Sequence, residues 1–172
     1  YNPSLKYIII KIEDEGDFVG KQILLAEDLL KSVVEDCKIK NYKKILNFKG
    51  KELEGTVCSH PFYEIGFKHD IPMLEALFVT TEQGSGVVHC APSHGPDDFN
   101  LCLNNGIKAI ETVDGDGKYT NNVKLFEGIH IFKANPIVIE KLREQKNLLF
   151  NSELIHSYPH SWRSKAPLVH RA

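Results

Sequence analysis

The chain has 172 residues, of which 42% are hydrophobic and 26% charged, and its formal net charge at pH 7 is −2. This length and composition predict one globular domain and argue against a disordered or collagen-like chain. The near-neutral charge excludes a protein that holds nucleic acid through a long-range basic field. Any contact with RNA must therefore be local or assisted by other domains.

Cysteine usage and hydropathy predict a reduced, cytoplasmic setting. None of the four cysteines has CxxC spacing, and we find neither a signal peptide nor an apolar run long enough to span a bilayer. Cys58 with His60, or Cys90 with His89 and His94, could begin a zinc site, but the second half of a ligand set is missing. We therefore expect no metal and no membrane contact.

The first half of the chain predicts short strands around one helix. The β-branched run at residues 7–12 is typical of a buried strand, and a second strand could follow around Phe18. Apolar residues recur at helical spacing from Ile23 to Val34, which predicts a helix over residues 22–37. Further strands are expected at residues 44–49, 54–58, 77–81 and 87–90.

The second half predicts two helices and a hairpin. Pro96 suits a first helical position, so residues 96–105 are expected to form a helix with Asp97 and Asp98 in its first turn, where the helix dipole favours carboxylates. Residues 114–117 predict a hairpin turn. Asn135 and Pro136 are expected to cap a last helix that runs to Lys146. Many short strands with three helices indicate a mixed, barrel-like α+β domain.

Polar and conformationally permissive residues are concentrated at positions 80–98, which read TTEQGSGVVHCAPSHGPDD. The glycines at 84 and 86 lead into a predicted strand rather than a helix, which argues against a dinucleotide-binding loop and favours a plain turn. His89, His94, Asp97 and Asp98 fall within ten residues, at a strand end and a helix start, which indicates a candidate site. Structural histidines and helix-capping aspartates are the alternative.

The run GSGVVHCAPSHGPDDF at residues 84–99 resembles the signature of the editing domain of isoleucyl-tRNA synthetases. The resemblance continues in HPF at 60–62, VDGDGKYT at 113–120, ANPIVIEKL at 134–142 and HSYPHSWRSKAPLVHRA at 156–172, and so covers essentially the whole chain. Valyl and leucyl relatives typically place His-Asp where His94 and Gly95 stand, and lack a counterpart of His89. The resemblance therefore favours the isoleucine enzymes.

This resemblance implies proofreading, the hydrolysis of valine wrongly esterified to the isoleucine tRNA, with valyl-adenylate as an additional candidate substrate. It implies that Asp98 is catalytic and binds the ammonium group of the misattached amino acid. It also implies that His89 lines the side-chain pocket, admitting valine and excluding isoleucine by collision. A hydrophobic pocket that relies on attraction alone discriminates weakly between side chains that differ by one methylene. Isoleucine against valine in this family is the usual example. The other expected substrate-binding residues are Thr80, Thr81, Gly84, Ser85, Gly86, Val88 and His94.

Water is the expected nucleophile, because the chain shows no Ser-His-Asp order and no nucleophile elbow. Backbone N–H groups around Gly84 and Gly86 could support the developing oxyanion. Thr80 and Thr81 have an alternative explanation, since threonine is common on strands.

The resemblance further implies that residues 1–172 form a single editing domain inserted in a larger synthetase, with the catalytic Rossmann core and the anticodon-binding domain elsewhere. No His-x-Gly-His or Lys-Met-Ser-Lys-Ser motif occurs. ATP and Mg would therefore serve the catalytic domain, while editing needs no cofactor. The expected partners are the 3′ acceptor end of tRNA(Ile), the misattached valine and the remainder of the synthetase.

The chain also departs from the family pattern. A threonine-rich peptide normally precedes the position of Tyr1, Ser85 replaces a threonine, and Ser161 and Ser164 replace cysteines of many relatives. Residues 156–171 are the densest cationic stretch, either a solvated surface strand or an RNA contact. Residues 167–172 resemble a return strand toward the catalytic core.

The alternatives to an isoleucine editing domain are a non-catalytic module for the tRNA acceptor end, a valyl or leucyl editing domain, and a metal hydrolase using His89 and His94.

Overall fold

The structure is a computed structural model that describes residues 1–153, 157–163, 165 and 167–169. Its contacts divide the chain into two compact units. The first unit comprises Tyr1–His89 and Leu142–Phe150, and the second comprises Cys90–Lys141 and Asn151–Ala172. The predictions that concern His156, Ser164, Arg171 and the end of the proposed return strand lie outside the described residues.

The first unit is built on a three-stranded antiparallel sheet. Its strands are β1 (Lys6–Ile12), β2 (Gln22–Ala26) and β3 (Tyr42–Lys49), in the order β2-β1-β3. The central strand β1 is apolar between its exposed residues Lys6 and Lys11, and these apolar side chains are buried or half-buried on both faces of the sheet. The strands predicted at residues 7–12 and 44–49 are thus confirmed.

Apolar side chains cover both faces of this sheet. Tyr7 and Ala26 belong to one buried cluster, whereas Ile8, Ile10 and Leu25 belong to another. Successive residues of a strand point to opposite faces, so the two clusters form two layers with the sheet between them. The pairing of β1 with β2 therefore positions residues of both layers.

The helix predicted over residues 22–37 is wrong in its first part. Residues 22–26 form β2, a 3-10 turn follows at Glu27–Leu29, and only α1 (Leu30–Asp36) is α-helical. The consecutive apolar residues of β2 pair with β1, and there Leu25 and Ala26 are buried while Ile23 and Leu24 are half-buried. A helical spacing of apolar residues cannot exclude a strand when such a pairing partner is available.

The remainder of the first unit contains a two-stranded antiparallel sheet of β4 (Val57–Ser59) and β5 (Asp70–Pro72). β4 confirms part of the strand predicted at 54–58. The strands predicted at 77–81 and 87–90, and around Phe18, are wrong: these segments are turns or irregular backbone. Their β-branched residues indicate only that a strand is permitted, and no neighbouring strand pairs with them.

The second unit contains α2 (Pro96–Asn104) and most of α3 (Ile131–Glu144). The unit boundary follows Lys141, so the last three residues of α3 are assigned to the first unit. α2 confirms the predicted helix and places Asp97 and Asp98 in its first turn. The hairpin turn is confirmed by the N–H of Asp114, which donates to the carbonyl of Lys118 at 2.8 Å. The predicted start of the last helix is wrong, because α3 already begins at Ile131 and includes Pro136.

The mixed α and β class is therefore confirmed. The described sheets have three and two antiparallel strands, and neither closes on itself within the described residues. Within the same residues, no helix combines the length and the apolar character that crossing a membrane requires.

Candidate functional site

The residues predicted to form the site are divided between the two units. The segment from Thr80 to His89 lies in the first unit, whereas His94 and Asp98 lie in the second.

The glycine turn, residues 84–86, is a tight turn seated on the end of β2. Gly84 and Gly86 both have φ near +75°, a left-handed conformation that glycine adopts without strain. Ser85 accepts the N–H of Ala26 through its carbonyl at 2.8 Å. Gly86 is buried so closely against Ala26 that a Cβ at this position would collide with the Ala26 methyl group. Glycine at 86 is therefore required by packing as well as by conformation.

The predicted pocket residues around this turn differ in exposure. Thr80, Gly84, Val88 and His89 are exposed, and Thr81 is half-buried. The Ser85 hydroxyl donates to the carbonyl of Val87 at 3.2 Å, which keeps this side chain within the turn. The glycine turn thus supports an exposed segment that presents Val88 and His89 to solvent.

In the second unit, Asp98 closes the loop that precedes α2. Gly95 is the N-cap and Pro96 the first helical residue, so Asp98 is the third. Its Oδ2 accepts the N–H of Ala91 at 2.8 Å. The half-buried carboxylate therefore has two roles available, because it fixes the loop and also places a negative charge at the positive end of the helix dipole.

Cys90 is a second partner of Asp98. Burial, the negative charge of Asp98 and a hydrogen bond to this carboxylate together raise the pKa of the Cys90 thiol to about 11. The thiol is protonated at neutral pH and can donate to Asp98, but it is a poor nucleophile and a poor metal ligand. The sequence indicated this cysteine only as a possible zinc ligand, and no sequence pattern shows its contact with Asp98.

His94 and Ser93 fasten the same loop to residues further along the chain. The Nε2 of His94 lies 2.9 Å from Oγ1 of Thr112, and the hydroxyl of the buried Ser93 donates to the carbonyl of Ile110 at 2.6 Å. The histidine predicted to bind substrate therefore has one ring nitrogen engaged by the protein. Sequence reasoning missed Thr112 and Ile110, since nothing in their spacing marks them.

The HPF motif forms an aromatic cluster in the first unit. The N–H of Phe62 donates to Nδ1 of His60 at 2.9 Å, and the His60 ring stacks on Phe67 with centroids 4.6 Å apart. Burial is the main cause that lowers the pKa of His60, followed by electrostatic repulsion from the His69 and His89 side chains. A neutral, stacked imidazole with an accepting Nδ1 is a structural element, which explains the motif without catalysis.

An open cavity of about 710 Å³ adjoins this cluster. It contains none of the residues predicted to form the site, and it is lined by Ser59, His60, Pro61, Tyr63, Glu64, Gln145 and Asn147. Among the described residues, no three His, Cys, Asp or Glu side chains are arranged to hold a metal ion.

Sequence comparisons identify the relatives of this chain, although no family model matches it. The chain is 74% identical over 172 residues to the isoleucine–tRNA ligase of Pelagibacter ubique, and 40% identical over 187 residues to that of Gluconobacter oxydans. Both matches include 100% of the chain but only 19% and 20% of the ligases. The isoleucine–tRNA ligase of Idiomarina loihiensis is 40% identical over 169 residues. The chain is therefore a relative of one segment of the isoleucine–tRNA ligases, and the resemblance that its motifs indicate is confirmed.

Proposed function

We propose that this chain is the editing domain of an isoleucine–tRNA ligase and hydrolyses valine wrongly esterified to tRNA(Ile). The observation that carries the proposal is the position of Asp98 in the first turn of α2, inside the segment that resembles the editing signature. A carboxylate at this point is stabilised in its charged form by the helix dipole. It is therefore suited to bind a substrate ammonium group.

The role proposed for Asp98 is to hold the aminoacyl ester in place while water attacks it. An ionised carboxylate forms a charge-assisted hydrogen bond with an ammonium group, and this bond fixes the ester carbonyl relative to a water molecule. Water adds to the carbonyl carbon, the resulting tetrahedral species collapses, and the ribose hydroxyl of the terminal adenosine leaves with a proton. Free valine and tRNA are the products.

Exposed and half-buried residues on either side of the glycine turn are proposed to form the pocket for the amino acid side chain. His89 would exclude the larger isoleucine side chain by collision, and Val88, Thr80 and Thr81 would line the pocket. Backbone N–H groups near the exposed Gly84 would support the oxyanion that develops during attack. Ser85 and Gly86 would maintain the turn, and His94 would shape the loop before α2.

The wider features of the family are part of the same proposal. They comprise a barrel-like domain with peripheral helices, a position as an insertion in a cytoplasmic synthetase, and a separate catalytic domain that uses ATP and Mg to ligate isoleucine to its tRNA. Editing itself would need no cofactor, and its partner would be the 3′ acceptor end of tRNA(Ile). The 74% identity to an isoleucine–tRNA ligase across the whole chain supports this assignment.

The test of this function is to replace Asp98 in the full-length ligase that contains this segment. Asp98→Asn keeps an oxygen that can accept the Ala91 N–H but removes the charge that would bind the ammonium group. We expect deacylation of Val-tRNA(Ile) to fall by about 30- to 150-fold, because losing a charge-assisted contact costs about 2–3 kcal/mol. Hydrolysis is followed by release of labelled valine.

Two further variants separate catalysis from folding. Asp97→Asn changes the neighbouring, exposed carboxylate of the same turn and should retain most of the deacylation rate. Asp98→Ala should lose both deacylation and thermal stability, because the Ala91 N–H also loses its acceptor. Normal deacylation by Asp98→Asn would disprove the role assigned to this residue.

A non-catalytic module for the tRNA acceptor end is the second candidate. The observation in its favour is that Asp98 already accepts hydrogen bonds from the protein and could be purely structural. A crystal soak with a non-hydrolysable valyl-adenosine analogue distinguishes the two. Editing requires the ammonium group of the analogue to lie within hydrogen-bond distance of Asp98, whereas binding with this group directed elsewhere would favour the module.

A further inference from the structure

A chain of hydrogen bonds connects the two ends of the segment at residues 80–85. The side-chain amide of Asn2 donates to the carbonyl of Val79 at 2.9 Å and to that of Leu77 at 3.3 Å. The backbone N–H of Asn2 donates to the hydroxyl of Tyr7 at 3.0 Å, and this hydroxyl donates to the carbonyl of Gly86 at 2.7 Å. The segment is therefore held at Val79 on one side and at Gly86 on the other.

The hydrogen bond from Tyr7 to Gly86 is buried, whereas those made by Asn2 are part-buried or exposed. The side chains of Tyr7 and Val79 are 0% and 2% exposed, and Gly86 is buried as well. Burial raises the pKa of Tyr7, so its hydroxyl stays protonated and remains a donor across the physiological range. A buried carbonyl that loses its donor bears the cost of desolvation, so this arrangement resists displacement of the glycine turn.

We infer that Tyr7 and Asn2 are positioning residues for the proposed editing site, because they fix the backbone between Val79 and Gly86. This inference rests on the proposed function, in which Thr80, Thr81 and the N–H groups near Gly84 contact the aminoacyl ester. None of these atoms is bonded to Tyr7 or Asn2 directly. The effect of the two residues is to hold the wall of the pocket in register with the substrate.

Two further contacts locate the same segment on the sheet. The carbonyl of Ser85 accepts the N–H of Ala26, and Gly86 packs directly on Ala26. Ala26 pairs with Tyr7 across β1 and β2, so neighbouring positions on two strands hold the glycine turn. Catalytic groups need placement within a fraction of an ångström, and a misplacement of about 1 Å can cost roughly 100-fold in rate. Loosening these contacts is therefore expected to affect the reaction more than it affects folding.

The experiment compares Tyr7→Phe with Tyr42→Phe in the full-length ligase. Tyr7→Phe keeps the ring that packs in the core and stacks on Phe48, and removes only the hydroxyl. Tyr42 is a matched control, because it lies half-buried on β3 and its hydroxyl makes no hydrogen bond to any residue that the structure describes. We measure kcat and KM for hydrolysis of Val-tRNA(Ile), the rate of isoleucylation, and amide hydrogen exchange over residues 80–86.

For Tyr7→Phe we expect kcat of deacylation to fall at least tenfold, with KM changed less than threefold and isoleucylation unchanged. Exchange over residues 80–86 should accelerate in Tyr7→Phe alone. Deacylation equal to that of Tyr42→Phe, measured on folded protein, would overturn the inference. So would an equal loss of isoleucylation, which indicates general destabilisation.

Asn2→Ala provides a second test if Tyr7→Phe does not fold. It releases Val79 at the other end of the segment, and the same fall in kcat with faster exchange is expected. The wild-type ligase and Asp98→Asn are measured alongside. If wild type hydrolyses Val-tRNA(Ile) and Asp98→Asn does not, while Asn2→Ala and Tyr7→Phe match wild type, the positioning role is wrong and the proposed function stands. If wild type does not hydrolyse the ester, both fall.

Discussion

Asp98 shows how one side chain can serve both structure and chemistry. Its carboxylate accepts the Ala91 N–H, and its charge contributes to the raised pKa of Cys90. A backbone N–H and a protonated thiol orient the carboxylate without neutralising it, because neither donor carries a positive charge. The negative charge at the start of α2 therefore stays available for a substrate cation.

The proposed role of His89 leads to a prediction about specificity. His89→Ala removes the imidazole that would exclude isoleucine, so the full-length variant should hydrolyse correctly charged Ile-tRNA(Ile) at least about tenfold faster than wild type. His89 is exposed, and the free energy of unfolding should therefore change by no more than about 0.5 kcal/mol. Deacylation of purified Ile-tRNA(Ile) provides the measurement.

His69→Ala is the matched control for this variant, since His69 is also an exposed histidine of the first unit but is not a predicted pocket residue. It should leave Ile-tRNA(Ile) intact. A His89→Ala enzyme that spares Ile-tRNA(Ile) while still hydrolysing Val-tRNA(Ile) would show that another group excludes isoleucine.

The two glycines of the glycine turn differ in how much an alanine substitution should destabilise the fold. Both have φ near +75°, so alanine at either position is strained by about 1–2 kcal/mol. An added Cβ at Gly84 meets no atom within 4 Å, whereas at Gly86 it collides with Ala26. Gly84→Ala should thus lower the free energy of unfolding by about 1 kcal/mol and Gly86→Ala by about 3 kcal/mol. Urea denaturation of the two variants measures this difference, and equal values would contradict the packing of the turn on β2.

How well the sequence predicts an element depends on whether its signal is local. α2 was predicted correctly because Pro96 sets its start, its apolar stripe is continuous, and Gly106 follows its end. The strand predicted at residues 7–12 is also correct, since its run of three consecutive isoleucines strongly favours a buried strand. Residues 22–26 were misjudged because their strand state depends on pairing with β1, which is a tertiary contact.

The same distinction applies to the candidate site. The motif resemblance identifies Asp98 and the glycine turn. Asp98 lies in the first turn of a helix, where a negative charge is favoured, and Gly84 and Gly86 have a positive φ that favours glycine. The partners that hold them, Cys90, Thr112 and Tyr7, do not share a local pattern. Tyr7 lies 79 residues from Gly86 along the chain, so only folding brings its hydroxyl to that carbonyl. Supporting residues of this kind are beyond the reach of spacing arguments.

The net charge of the whole chain determines how strongly it is attracted to RNA over long distances. With 21 Lys and Arg against 23 Asp and Glu, the chain has a net charge of −2 and gains no long-range attraction to a polyanion. The chain spans 19% of the length of one isoleucine–tRNA ligase that it matches, so most of that ligase lies outside this segment. The proposed reaction therefore separates the chemistry, carried by this chain, from most of the RNA affinity.

This separation predicts weak RNA binding by the 172-residue chain on its own. Its dissociation constant for an acceptor-stem RNA hairpin near physiological salt should be above about 100 µM, the weak end of non-specific binding. Because few phosphates would be neutralised, log Kd should change with log salt by a slope of no more than about 2. Fluorescence anisotropy measures both quantities, with the full-length ligase as the positive control. A dissociation constant below about 1 µM, or a steep salt dependence, would locate a phosphate-binding surface on this chain and contradict an affinity supplied by the other domains.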